Sequence, residues 1–273
     1  MNPEYERQVE KILSFFEEKM DTLNFQQKNN ILRLMRQSGV YNYKILDFML
    51  YYVEMNYLQL SYENMLLIIK TNLNARKITP FELIYKLRNK FNQSYMQLEP
   101  LVIVSTLMSF SKMRLFFIEP FYENIFSRLN DSLKKLTIVD CVMILNAYCK
   151  IKYRDEIFFE KCLNKIQKNL APLGRIHTKI LILALANINH PNKSIFFELC
   201  HHHNILTLIK EIQDDNDVPQ FEKDYLQAIY DLIISEFPNP PEVPQENKIQ
   251  EVRKYEREID IDAELDAVNL QKC

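Results

Sequence analysis

Apolar residues recur along this chain at three- and four-residue steps almost from its start. Val9, Ile12, Leu13, Phe16 and Met20 fall on one side of a helix at that spacing. Pro3 suits an early position of the same helix, where no backbone donor is needed. The pattern predicts a second helix from about Leu23 to Gln37, carrying Phe25, Ile31, Leu34 and Met35 and stopped by Gly39. A third covers roughly Asn42 to Tyr57, and a fourth Ser61 to Leu73. Pro80, Pro100 and Pro120 then follow Thr or Glu and precede apolar helical runs. Proline has its φ fixed near the helical value, so the first turn accepts it cheaply. A step of 20 residues is one helix plus one turn, and two steps make a helix–turn–helix unit.

The units align with one another. Phe110-Ser111-Lys112-Met113 corresponds to Tyr148-Cys149-Lys150-Ile151 and to Leu185-Ala186-Asn187-Ile188, at intervals of 38 and 37 residues. Phe121-Tyr122-Glu123 corresponds to Phe158-Phe159-Glu160 and Phe196-Phe197-Glu198, at intervals of 37 and 38. Leu107, Leu145 and Ile182 precede the first landmark by three residues, and a weaker earlier copy spans Ser61 to Leu98. Two landmarks keeping one period indicate a true internal repeat. Each unit can bury its apolar faces only against its neighbours. The expected fold is therefore all-α: an α-solenoid of stacked helix–turn–helix repeats over residues 1–237.

The pattern changes after Glu236. Four prolines fall within residues 238–244, which breaks any helix and marks a Pro-rich linker. Residues 245–273 form a charged tail with Ile249, Val252, Tyr255 and Ile259 thinly spaced, too few to build a core. The tail is expected to lie on this protein's own body or on a partner, and those four apolar residues are its partner-binding candidates. Charge follows the same division. The chain of 273 residues has a net charge of -2, but residues 1–210 carry +9 and residues 211–273 carry -11.

Composition removes whole classes of chemistry. There are only 2 glycines, Gly39 and Gly174, with no second glycine near either. Phosphate-cradling loops, dinucleotide fingerprints and nucleophile elbows need glycine where the backbone turns tightly or a ligand comes close. Five cysteines with no C-x-x-C pair read as free thiols in a reducing compartment. The longest apolar stretches, near Leu101–Val104 and Ile180–Ala186, fall far short of the roughly 18 residues that span a bilayer. The first 20 residues hold five Glu, unlike a secretory signal or a cleavable organellar presequence.

The first-helix pattern is an aliphatic, two residues, a bulky apolar, a small residue, Lys or Asn, and an aliphatic. Over Leu107–Met113, Leu145–Ile151 and Ile182–Ile188, it resembles the heptatricopeptide and octotricopeptide repeats of the organellar FAST-kinase-like and RAP-domain families. The resemblance covers residues 99–208, and the acidic tail is unlike a RAP domain. It implies a helical-repeat protein of mitochondria or plastids, tied to RNA metabolism or to large organellar assemblies. The function expected on that basis is a non-catalytic scaffold, an accessory subunit of a mitochondrial assembly such as a respiratory-chain complex, ATP synthase or the mitoribosome. An organellar RNA-binding repeat protein is the alternative, and a cytoplasmic location the alternative placement. Protein subunits are the expected partners, with any membrane association only through them.

Candidate chemistry is sparse. In Cys200-His201-His202-His203, consecutive helical residues point about 100° apart, so the imidazoles cannot share one metal. The string reads as a polar helix end. Asp214-Asp215, and Asp260 with Asp262, lie in polar connections without a partnered His or Lys. Catalytic, cofactor-binding and metal residues are therefore not assigned. Residues 128–179 hold 11 basic and 5 acidic residues. Within them Lys134, Lys135, Lys150, Lys152, Arg154, Lys165 and Lys168 are the candidates for contacting RNA or an acidic protein surface. Lys150, Lys152 and Arg154 fall near an inter-helix turn, where a row of such turns builds a positive rim.

Overall fold

The structure is a computed structural model that describes residues 3–113, 121–151, 155–191 and 193–236. Pro120, Lys152, Arg154, the Pro-rich linker 238–244 and the tail with Ile249, Val252, Tyr255 and Ile259 lie outside the described residues. The described residues form 13 α-helices, one short 3-10 turn and no strand. They fall into two compact units, Met1–Leu98 and Glu99 onward.

The first unit holds α1 (Pro3–Glu17), α2 (Phe25–Ser38), α3 (Tyr43–Asn56), α4 (Tyr62–Asn74) and α5 (Phe81–Ser94). Its centre is α4, which packs against α2, α3 and α5. Val9, Leu13 and Met20 are buried as the spacing predicts, but Ile12 is 44% exposed. Ile12 directly precedes Leu13, so the same turn cannot send both inward. Gly39 stops α2 with φ 66°, a left-handed conformation in which glycine has no Cβ to strain.

The second unit holds α6 (Pro100–Lys112), α7 (Phe121–Ser132), α8 (Ile138–Lys150), α9 (Glu156–Gln167), α10 (Arg175–Asn187), α11 (Ser194–Cys200), α12 (Ile205–Gln213) and α13 (Gln220–Glu236). Here α8 lies between α6 and α10 and carries α9 on its side, while α7 packs on α6. Both α12 and α13 pack against α10.

One start signal opens every first helix of the repeat. Leu23, Leu60, Leu98, Leu136 and Leu173 precede α2, α4, α6, α8 and α10, at intervals of 37, 38, 38 and 37 residues. All but the half-buried Leu23 are buried. The next residue is the cap. Asn24 and Thr137 form reciprocal capping boxes with Gln27 and Asp140, and the Ser61 side chain accepts from Asn64 N. Glu99 caps without a side-chain bond and is followed by Pro100 at the first helical position, as the proline pattern predicts. Eight residues past each cap stand Leu32, Ile69, Leu107, Leu145 and Ile182, each fully buried.

Aromatic contacts link successive pairs in the second unit. Phe110 meets Phe121 at 4.7 Å between ring centroids, and Phe126 meets Tyr148 and Phe158 at 5.7 and 5.4 Å. Tyr148 meets Phe159 at 5.1 Å, and Phe159 meets His190 at 5.5 Å. Each such pair adds about 0.5–1.5 kcal/mol beyond the area it buries. The second landmark needs one adjustment. Phe121-Tyr122 and Phe158-Phe159 are buried, but in α11 the buried pair is Ile195-Phe196, with Phe197 half-buried. The inward register there keeps an interval of 37 rather than 38.

Leu145 sits fully buried at the middle of the central helix of its unit, whereas Ile157 in the same unit is 73% exposed. Leu145→Ala is expected to cost about 2–5 kcal/mol, read as a lower urea midpoint. Ile157→Ala is expected to stay within about 0.5 kcal/mol of the parent. Similar midpoints for the two variants would contradict this packing.

Candidate interaction surface

The basic stretch divides between the two ends of one helix pair. α8 and α9 run antiparallel: Tyr148 near the end of α8 meets Phe159 near the start of α9, and Lys165 late in α9 reaches the turn before α8. Lys134 and Lys135, both exposed, lie in that turn, with Lys165 and Lys168 at the same end. Lys150, exposed as the last residue of α8, is at the opposite end. The structure thus brings Lys134, Lys135, Lys165 and Lys168 together and separates Lys150 from them.

Lys165 has a structural task. Its Nζ donates to the Leu133 carbonyl at 2.6 Å and the Leu136 carbonyl at 2.5 Å, closing the turn between α7 and α8. Those acceptors lie where the α7 helix has no further amide to offer. Two lysines of the first unit act alike. Lys90 Nζ donates to the carbonyls of Tyr57, at 2.9 Å, and Leu60, closing the turn between α3 and α4. Lys28 Nζ donates to the Leu23 carbonyl at 2.7 Å and stands 4.7 Å from the Tyr52 ring centroid. Burial holds the Lys28 and Lys90 ammonium groups below the ordinary lysine value. Lys90, Arg128, Lys165 and His203 recur at intervals of 38, 37 and 38, so the basic position belongs to the repeat frame. Beside them, Lys161 donates to Asn130 Oδ1 at 2.8 Å and Arg175 pairs with Glu211. Both are polar contacts at the protein surface.

The thiols and imidazoles are packed groups. Cys141, Cys149, Cys162 and Cys200 are all buried free thiols. A hydrogen bond links Cys141 and Cys162, holding the Cys141 thiol below its ordinary value and pushing Cys162 up, where burial adds to the rise. Cys149 Sγ donates to the Ala184 carbonyl at 3.1 Å, and burial pushes Cys200 up to about 11. The His string is the turn between α11 and α12: His201 and His202 are exposed and His203 is buried. His190 Nε2 stands 3.2 Å from Glu160 Oε1, and its carbonyl accepts from the Tyr225 hydroxyl at 2.9 Å. No group of three or more His, Cys, Asp or Glu able to hold a metal occurs among the described residues. No described helix is long and apolar enough to cross a membrane.

The repeat frame reveals a surface that charge counting does not. Positions two, six, nine and thirteen past each cap share one helical face. In the first unit this face is mostly polar, with Gln26, Arg33 and Gln37 on α2 and Glu63, Lys70 and Asn74 on α4. In the second unit it is largely apolar. Leu101, Val139 and Ile176 form one half-buried row across α6, α8 and α10; beyond it stand Met108, Ile180 and Leu183, interrupted by Asn146 on α8, while Ser105 and Met143 are buried. Lys112 and Lys150, both exposed, end the face on α6 and α8. Asn187 ends it on α10 and donates to Glu222 Oε1 on α13 at 2.7 Å. The 37–38-residue period is the signal that locates these rows in the sequence. No family model matches this chain, and no match was found among characterised proteins.

Lys165→Met keeps an apolar stem but leaves two turn carbonyls without their donor, an expected loss of about 1–3 kcal/mol in urea unfolding. Lys168→Met is expected to stay within about 0.5 kcal/mol of the parent. Equal effects would contradict the turn-closing role. A second test uses pH. Burial lowers the His177 pKa, so the unfolded chain takes up a proton that the folded chain refuses. The contribution is intact above the unfolded value of about 6.5 and is lost as pH falls below it. Between pH of about 6.5 and about 5, the parent is expected to lose stability more steeply than His177→Leu. Parallel curves would remove His177 from the acid sensitivity.

Proposed function

We propose that this chain is a non-catalytic α-solenoid scaffold, an accessory structural subunit of a large mitochondrial assembly. The observation that carries the reading is the repeat register. One start signal and one buried aliphatic recur through five helix starts, and the frame offers its variable positions on one face of each first helix. Repeats of this kind build extended surfaces for partners rather than a single cleft. The half-buried row Leu101, Val139 and Ile176 suits a protein surface better than a phosphate backbone. The mitochondrial placement rests on the resemblance to organellar tricopeptide-type repeats. Respiratory-chain complexes, ATP synthase and the mitoribosome are the candidate assemblies.

RNA binding is the second reading. It draws on exposed Lys134, Lys135, Lys150 and Lys168. Lys165 supports it less, since its ammonium closes a turn.

Native electrophoresis of tagged full-length chain from fractionated cells separates the two. The scaffold reading expects migration with a mitochondrial complex of fixed protein stoichiometry that survives ribonuclease. Dissolution by ribonuclease would favour the RNA reading. Migration as an isolated chain would overturn the scaffold.

A further inference from the structure

We infer that the outer face of α3 and α5 is a docking surface, and that its occupant is a second copy of this chain. The inference does not rest on the scaffold reading or on the mitochondrial placement. These two second helices of the first unit lie side by side and run the same way. At the start of α3, Tyr43 Oη donates to the Ala75 carbonyl at 3.2 Å and Asp47 pairs with Lys77 at 2.6 Å, both in the segment leading to α5. Past the end of α3, the Tyr57 carbonyl accepts from Lys90 Nζ at 2.9 Å, and the Tyr57 ring centroid lies 4.6 Å from Lys86 Nζ, both on α5. Tyr51, Met55 and Leu58, at i, i+4 and i+7, follow the side of α3 turned from the core. Ile78, Phe81 and Tyr85 follow the outer side of α5 and the turn before it. All six are between 46% and 89% exposed.

The repeat frame does not call for apolar residues there. Ile45-Leu46, Leu83-Ile84, Phe121-Tyr122 and Phe158-Phe159 are the buried pairs of successive second helices, at intervals of 38, 38 and 37 residues. Counted from those pairs, exposed positions of α7 and α9 hold Glu123, Ser127, Asp131, Glu160 and Asn164. The first unit places Tyr85, Tyr51 and Met55 among the equivalent positions. The same kind of helix is thus mostly polar on its outer side in the second unit and largely aromatic and aliphatic in the first.

Area and charge select the occupant. At these exposures the six residues leave roughly 600–900 Å² open, at about 100–150 Å² apiece. The largest apolar patch of a typical monomer is about 300–600 Å², whereas a stable protein pair covers about 800 Å² on each partner. Tyr, Phe and Met are also the side chains that the centres of such interfaces favour. A two-fold pair sets like face on like face, so no single sign of charge can dominate it. Here the charges are paired or balanced. Lys77 pairs with Asp47, and Lys44 with Glu17 at 2.6 Å. Exposed Glu54 and Glu82 stand against exposed Arg76 and half-buried Lys86. That balance suits a second copy and gives a phosphate backbone little to hold.

Sedimentation equilibrium of the purified full-length chain reads the pairing. A two-chain species is expected at roughly 100 µM, since interfaces of this area bind at micromolar affinity or better. Met55→Asp and, separately, Ile78→Asp set a charge in the apolar contact and are expected to weaken pairing at least about tenfold. Both side chains are already exposed, so far-UV circular dichroism is expected to match the parent's. Ile157→Asp, at an exposed position of the second unit, is expected to leave pairing unchanged. Photoreactive p-benzoylphenylalanine at position 51, in a mixture of isotope-labelled and unlabelled chains, is expected to cross-link one chain to α3 or α5 of the other. A chain that stays single at that concentration would overturn the inference. So would pairing indifferent to both substitutions, equal weakening by Ile157→Asp, or cross-links confined to one chain or to other elements. Nucleic acid captured at position 51 would assign the face to RNA and overturn it as well.

Discussion

The structure depends on burying an aliphatic side chain eight residues past each helix cap. Leu32, Ile69, Leu107, Leu145 and Ile182 are fully buried, yet no helix pair of this length can enclose such a residue alone. Burying one contributes about 1.5–3 kcal/mol only if a neighbouring first helix covers it. This requirement packs α2 on α4 in one unit, and α6 and α10 on either side of α8 in the other. The rest of the repeat follows from it. The leucine before each cap fixes where the helix begins, and the cap fixes its rotation, so the buried position meets the neighbouring helix.

Such close packing leaves the turns between helices with unsatisfied carbonyls at one end of each pair. The chain answers with long cationic side chains from the following helix, Lys90 in the first unit and Lys165 in the second. Lysine suits the task because its stem lies along apolar surface while three donors reach different acceptors. Positive charge in this protein is therefore partly a folding device. A charge sum over residues 128–179 mixes lysines of that kind with the exposed Lys134, Lys135, Lys150 and Lys168.

Much of the helical framework was legible in the sequence, because helix positions are set by local spacing and by proline. Pro100 opens α6 where the pattern places it, and Gly39 ends α2. The repeat landmarks were legible too, although burial moves the last of them by one residue, to Ile195-Phe196. The task of Lys165 was not legible, since its partners are backbone carbonyls about thirty residues earlier in the chain, which leave no mark in residue type. Nor was the exposure of Ile12, which obeys the helical spacing but lies at the edge of its stripe. The pairing of Cys141 with Cys162 joins two helices and likewise has no sequence signature.

The same frame carries two kinds of surface, and the difference lies on one face of each first helix. Two, six, nine and thirteen residues past the cap, the first unit is mostly polar, with Gln26, Arg33, Glu63 and Lys70. The second unit places Leu101, Met108, Val139, Ile176 and Leu183 on the equivalent face. The buried side of these helices is mostly aliphatic and aromatic in both units, with Lys28, Asn29 and Asn72 in the first and Thr106, Asp140 and His177 in the second among the buried polar exceptions. Leu101, Met108, Val139, Ile176 and Leu183 are half-buried, so polar residues there would give up part of the apolar area that the helices cover. An apolar choice at several equivalent positions on adjacent helices therefore adds to the packing between α6, α8 and α10, an area that the polar choices of the first unit forgo.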